Sequence, residues 1–252
     1  MAILDKFLNK TFLVTGASSG IGKALSQKIA AEGGRVVMIA RGEEGLKEAV
    51  KTMHMASKHI IIPYDLLDFD NYKIIFDKLK REDVKLDGLA HCAGFTEVQP
   101  LRVMNRNSAL ELFDIHYFSF IELVKHYVKK GVSNGGSIVG ISAMNAHTPQ
   151  KCMTSYAAAK SAVESACRTL ALELTEKRIR INSVIVGGVD TNMGANIDET
   201  VKAIGSHYEN PVQRQLLGIE KPEQIADVIA FLLSGESSCI TGRSLYADAG
   251  LL

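Results

Sequence analysis

Phe12-Leu13-Val14-Thr15-Gly16-Ala17-Ser18-Ser19-Gly20-Ile21-Gly22 reads as a short buried strand running into a glycine-rich turn. Lys23 to Glu32 follows with apolar residues Ala24, Leu25, Ile29 and Ala30 at helical spacing, and ends at Gly33-Gly34. A strand, a glycine-rich turn and a helix make the first half of a dinucleotide-binding βαβ unit. Gly16 suits a tight turn, Gly20 lets the backbone approach a pyrophosphate, and Gly22 lets the helix pack close to the strand. The free N–H groups and positive dipole end of the helix then face the phosphates.

Outward from that unit, strand and helix patterns alternate. Strands are expected at 35–40, 59–63, 86–92, 137–142, 180–186 and 244–247, and helices at 45–55, 72–82, 108–130, 155–176 and 222–234. This order predicts an α/β fold: a single Rossmann-type domain over 1–252, with a doubly wound parallel sheet and helices on both faces. No repeat or Pro/Ser-rich linker divides the chain.

A second signal lies in Ser155-Tyr156-Ala157-Ala158-Ala159-Lys160. Positions i and i+4 share one helix face, so Lys160 stands beside Tyr156. An ammonium there favours the phenolate and brings the phenol, ordinarily near pKa ~10, towards neutral pH.

The turn spacing is G-x-x-x-G-x-G. Together with Tyr156-x-x-x-Lys160 it resembles the short-chain dehydrogenase/reductase family, and its 3-oxoacyl-carrier-protein reductase-like branch in particular. The resemblance covers nearly the whole chain. Thr15 to Gly22 matches the family's cofactor loop without a gap, so Gly16, Ser18, Ser19, Gly20, Ile21 and Gly22 are expected to contact the cofactor. Asp65-Leu66 matches the adenine-contacting position. Cys92-Ala93-Gly94 matches the end of an Asn-Asn-Ala-Gly motif, with Cys92 in an asparagine's place. Asn182 to Thr191 matches the segment that closes over the nicotinamide, through Gly187, Val189 and Thr191; Val186 replaces a proline there. The resemblance implies an oxidoreductase of the EC 1.1.1.- kind, moving hydride between a nicotinamide cofactor and a ketone or secondary alcohol, such as a 3-oxoacyl thioester or a keto-sugar. It implies a homodimer or homotetramer, and a substrate lid over about 191–217.

Charge argues the cofactor. An acidic residue closing the second strand favours NAD. Here Ala40 takes that place and Arg41 follows. A guanidinium fork pairs well with a 2′-phosphate, and Ser18 and Ser19 add hydroxyl donors, so NADP(H) is preferred over NAD(H).

The resemblance assigns proton donation to Tyr156, and ribose binding together with depression of the tyrosine pKa to Lys160. Two catalytic positions depart from the pattern. The family's carbonyl-polarising serine falls, on an ungapped count, at Ala143, and Ser142 serves only if the following loop is one residue longer. His116 stands where the family has an asparagine whose main-chain carbonyl takes part in a proton relay. It either titrates within that relay or is simply a packed, hydrogen-bonded histidine. These departures leave an alternative open, a nucleotide-binding scaffold or regulatory homologue with weak or no turnover.

Composition limits the partners. Net charge is +1, with 46% hydrophobic and 23% charged residues, and no basic cluster with interleaved aromatics. Nucleic acid and an anionic membrane are not expected, and no apolar run reaches the ~20 residues of a membrane span. Cys92, Cys152, Cys167 and Cys239 are scattered without metal-ligand spacing, so no metal is expected. Side chains of the neighbours His91 and Cys92 point to opposite faces of a strand. The N-terminus carries no secretory pattern, and a cytoplasmic protein is expected.

Overall fold

The computed structural model describes residues 5–191, 193 and 214–251. Seven strands form one parallel sheet: β1 (Thr11–Thr15), β2 (Arg35–Ala40), β3 (Ile60–Pro63), β4 (Leu86–His91), β5 (Ser133–Ala143), β6 (Ile179–Val186) and β7 (Ser244–Ala247). Their spatial order is β3-β2-β1-β4-β5-β6-β7. The helices are α1 (Gly20–Ala31), α2 (Glu43–Lys51), α3 (Lys73–Arg81), α4 (Arg106–Phe113), α5 (Ser119–Tyr127), α6 (Thr154–Leu174) and α7 (Pro222–Leu233).

Both faces of the sheet are buried, and the period-two alternation of the strands divides two cores. Leu13, Val37, Ile39 and Ile138 face α3, α5 and α6. Phe12, Val14, Val36, Met38 and Val139 face α1, α2 and α7. A third small cluster, Val98, Leu112, Ala143, Met153, Tyr156 and Ala159, caps the C-terminal end of β5. Strand order reverses between β1 and β4, so the loops after them diverge and open a crevice at the strand C-termini. In open α/β sheets this is where ligands bind.

Two departures from the expected pattern lie near the site or in the central strands. The helix expected over 108–130 is interrupted: between α4 and α5 lies one π turn, Asp114–Phe118. β5 begins at Ser133, earlier than expected; Gly135 and Gly136 adopt φ of 104° and 113° inside the strand, and the register with β4 shifts there. No helix among the described residues is long and apolar enough to cross a membrane. Among the same residues no group of three His, Cys, Asp or Glu side chains is placed to hold a metal ion.

Candidate active site

The glycine-rich turn, the ends of β2 and β3 and the loop after β4 enclose a cavity of about 260 Å³. Gly16, Ser18, Ser19, Arg41, Asp65, Leu66, Ala93 and Gly94 all line it. Gly22 explains how tightly α1 sits on the turn: a Cβ there would lie 2.5 Å from the Gly16 carbonyl oxygen. Ser19 is the N-cap of α1 and its side chain caps nothing, so the first N–H groups of a twelve-residue helix are left to a ligand. Asp65 accepts from the Leu67 amide at 3.1 Å, holding its own turn while its side chain borders the cavity. Arg41 is exposed and has no hydrogen-bond or ion-pair partner among the described residues. Thr191 reaches the turn from the other side, with its methyl 3.3 Å from where a Gly20 Cβ would stand. These are the features a dinucleotide needs: open helix amides for the pyrophosphate, a bordering carboxylate, and a free guanidinium at the adenosine end.

Tyr156 and Lys160 lie on one face of α6, both buried. The Lys160 Nζ stands 5.6 Å from the Tyr156 ring centroid and donates to the Ile141 carbonyl at 2.9 Å. The His116 ring meets the Tyr156 ring edge-on, with centroids 5.4 Å apart and an interplanar angle of 81°. His116 in turn packs on Gly94, where an added Cβ would fall 2.2 Å from its Cε1. Tyr156, His116 and the cavity wall are therefore one contiguous structure.

The electrostatics correct one expectation. Burial raises the Tyr156 phenol above its ordinary 10 and pushes the Lys160 ammonium down to about 7. The cation does not draw the phenol towards neutrality, because neither charged form is solvated. At neutral pH the phenol keeps its proton. His116 is also neutral: burial, then the charge of Lys160, hold it well below 6.5. Its Nε2–H donates to the Phe95 carbonyl at 2.7 Å, and its Nδ1 has no hydrogen-bond partner among the described residues.

Ser142 does not turn towards this centre. Its hydroxyl donates to Glu164 Oε1 at 2.6 Å and lies 3.3 Å from the Lys160 carbonyl oxygen. The reason is strand alternation: Ala143, the next residue, packs with Tyr156, so Ser142 points beneath α6. The carbonyl side of the pocket thus has a methyl where the ungapped count placed it. Glu164 is buried and also meets His147 Nε2 at 3.0 Å, which ties the loop after β5 to α6. A carboxylate four residues beyond Lys160 on the same face was a readable signal for this role.

Other participants had little signal. Gln215 accepts from the Gly188 amide at 2.8 Å and donates to the Gly188 carbonyl at 3.4 Å. It clamps the segment that carries Gly187 and Val189 from 27 residues away, so no local pattern marks it. Beside it Glu220 is buried, and its carboxyl is raised from 4.5 to about 7, first by burial and then by the negative charge of Asp248. The folded chain therefore binds this proton where the unfolded chain has lost it, and the stability it contributes disappears as pH rises through about 7. Glu220→Gln, which stays neutral, is expected to raise Tm relative to the parent at about pH 8 and to change it little at about pH 4. Thermal unfolding followed by circular dichroism at the two pH values checks this.

An open parallel sheet with a nucleotide crevice at its switch point, and a buried tyrosine–lysine pair beside it, defines the class of nicotinamide-dependent oxidoreductases. The comparisons agree. The family model described as "Enoyl-(Acyl carrier protein) reductase" matches residues 16–252. Similar curated proteins include "Glucose 1-dehydrogenase" of Gluconobacter oxydans, 32% identical over 98% of this chain and 93% of that protein. Another is "3-oxoacyl-[acyl-carrier-protein] reductase" of Thermotoga maritima, 32% identical over 96% of this chain and 98% of that one. Among solved structures, a short-chain "Glucose/ribitol dehydrogenase" from Brucella melitensis superposes with a TM-score of 0.88 at 26% identity, covering 98% of each chain. The chain belongs to the short-chain dehydrogenase/reductase family, whose members are NAD(P)-binding oxidoreductases.

Proposed function

We propose that the chain is an NADPH-dependent reductase of ketones, working reversibly on secondary alcohols, with a 3-oxoacyl thioester or a keto-sugar as the substrate class. The observation that carries this reading is the buried Tyr156–Lys160 pair standing, through His116 and Gly94, against the wall of the glycine-turn cavity. The name of one relative supports the 3-oxoacyl class, and that of another a sugar alcohol group as the site of oxidation.

The residues present fit the cofactor. Gly16, Ser18, Ser19, Gly20, Ile21 and Gly22 with the start of α1 would hold the pyrophosphate, Asp65 and Leu66 the adenine, Arg41 a 2′-phosphate, Cys92, Ala93 and Gly94 the floor, and Gly187, Val189 and Thr191 the nicotinamide end. When bound, the nicotinamide supplies or accepts the hydride. Tyr156, protonated at neutral pH, donates its proton to the substrate oxygen in reduction and accepts one in the reverse direction. Lys160, fixed by the Ile141 carbonyl, orients ribose hydroxyls and returns a proton towards the phenol. Ala143 offers no hydrogen bond to the substrate oxygen, and the loss of one such donor costs about 10²–10³ in rate.

That deficit favours a second reading, a nucleotide-binding scaffold or regulatory homologue with weak or no turnover. Loss of the reduced-nicotinamide absorbance, followed with β-ketoacyl thioesters, diketones and keto-sugars, separates the two. Turnover on any of them supports the reductase; tight NADPH binding with none supports the scaffold.

The cofactor preference has its own test. Arg41→Asp is expected to lose a charge-assisted phosphate contact and gain a ribose acceptor, shifting the ratio of NADPH to NADH affinity by about 10²-fold towards NADH. Fluorescence titration with both cofactors measures it, and an unchanged ratio rules out the role of Arg41.

A homodimer or homotetramer in the cytoplasm is part of the same reading. Leu216, Leu217, Ile219 and Tyr246 are 59–87% exposed beside β7, one of the two edge strands of the sheet, and exposed apolar patches of this kind mark association surfaces. The lid proposed over about 191–217 falls mostly on residues 192 and 194–213, outside the described residues.

A further inference from the structure

His91 closes β4 and is 2% exposed. Both of its ring nitrogens are engaged, one by β1 and the other by the π turn. Nδ1 lies 2.9 Å from the hydroxyl oxygen of Thr15, its register partner on β1. That hydroxyl oxygen also accepts from the amides of Cys92 and Ala93, each at 3.1 Å. On the other side, Nε2 lies 3.0 Å from the Ile115 carbonyl and 3.2 Å from the Ser119 hydroxyl.

The Ile115 carbonyl has a specific reason to need a donor. In a continuous α-helix the Ser119 amide would donate to it, four residues back. In the π turn the Ser119 amide donates to Asp114 instead. The Ile115 carbonyl, on a half-buried residue, is then left for other groups to satisfy. It accepts from the Ser119 hydroxyl at 2.6 Å and from His91. A carbonyl only accepts, so His91 Nε2 carries the proton, Nδ1 is bare, and the Thr15 hydroxyl donates to it. The ring is a neutral strut between the end of β1 and the π turn. Burial, which drives its pKa down to about 4, keeps it neutral over the working pH range.

The residue after Ile115 is His116, whose ring abuts Tyr156 and Gly94. We propose that His91 is a positioning residue: it pins the π turn to the strand that leads into the glycine-rich turn, and so sets the His116 ring against the Tyr156 phenol. The catalytic consequence rests on the reductase reading above; the geometric one does not.

His91→Phe keeps the ring and its contact with Phe120 (centroids 5.8 Å apart) and removes the hydrogen bonds of both ring nitrogens. Displacement of the π turn is expected to lower kcat by about 10–10²-fold while the NADPH Kd stays within about threefold. Nitrogen-15 imidazole spectra should show His91 of the parent protonated on Nε2 alone, and should show the His116 ring signals moving in His91→Phe. Tyr127→Phe is the control. It removes an equally buried hydrogen bond, 2.7 Å to the Gly135 carbonyl at the far end of α5, and should leave both kcat and the His116 signals unchanged. Ser119→Ala, a milder loss at the same carbonyl, should move the His116 signals in the same direction by less, and serves if His91→Phe does not fold. Unmoved His116 signals in the variants at His91 and Ser119, the same changes in Tyr127→Phe, or a parent His91 protonated on Nδ1 overturns the proposal. A parent without turnover on any substrate would instead overturn the reductase reading, and the His116 signals would still decide the strut.

Discussion

Tyr156→Phe is expected to lower kcat by about 10²–10⁴-fold, the range supplied by a positioned general acid, with the NADPH Kd held within about threefold. The substitution removes one hydroxyl and keeps the ring, so the edge-on contact with His116 and the packing on Ala143, Met153 and Ala159 persist. What disappears is the proton. Burial holds the phenol in its neutral form, and the other titratable side chains around it are poor substitutes. His116 is neutral, with its one N–H committed to the Phe95 carbonyl. Lys160 is tied to the Ile141 carbonyl. Ser142 gives its hydrogen to Glu164. Steady-state rates beside fluorescence titration of NADPH separate the effects: a fall in kcat alone identifies the acid, whereas retention of kcat would remove Tyr156 from the chemistry.

Gly22→Ala is expected to weaken cofactor binding and stability together. The added methyl would stand 2.5 Å from the Gly16 carbonyl oxygen, 2.7 Å from its carbon and 2.8 Å from the Thr15 oxygen. All three are backbone atoms, with no flexible side chain to yield, so either α1 lifts from the sheet or the turn deforms. Overpacking of this kind costs about 1–3 kcal/mol, and each kcal/mol lowers Tm by about 2–4 °C in a chain of this size. The same shift withdraws the α1 amides from the pyrophosphate, and a loss of about 1.4 kcal/mol there raises the NADPH Kd about tenfold. Isothermal titration and thermal unfolding measure the two parts. A Kd equal to the parent's would show that the turn does not hold the phosphates.

Much of the fold was legible because its signals are local. β2 and β7 run over the expected residues, Arg35–Ala40 and Ser244–Ala247, since continuous apolar runs between turn residues leave a strand few alternatives. Helix α2 stops at Lys51, short of the expected 55, where Met55 takes a positive φ of 53°. The spacing of Tyr156 and Lys160 was equally local, one helical turn, and the structure places both on one buried face.

The π turn was not legible. Asp114-Ile115-His116-Tyr117-Phe118 has no glycine or proline to break a helix, and the interruption is satisfied by His91, 24 residues earlier in the chain. The direction of Ser142 was legible only in part: the ungapped count set Ala143 at the pocket, but which face of β5 meets α6 at the strand's last two residues decides it. The expected activation of Tyr156 by Lys160 failed for a related reason. Helical spacing reports proximity, while a pKa reports solvation, and burial depends on everything packed around the pair.

By itself, the sequence determined a parallel α/β sheet, a nucleotide turn after its first strand and a tyrosine–lysine pair on one helix, because each is written in contacts between residues a few positions apart. Tertiary structure alone decided that Ser142 faces Glu164, that Gln215 clamps Gly188 and that His91 braces the turn carrying His116. Those choices join residues 22 to 27 positions apart across separate elements. Their hydrogen-bonding partners exist only once the sheet has closed and water has been excluded from both ends of each bond.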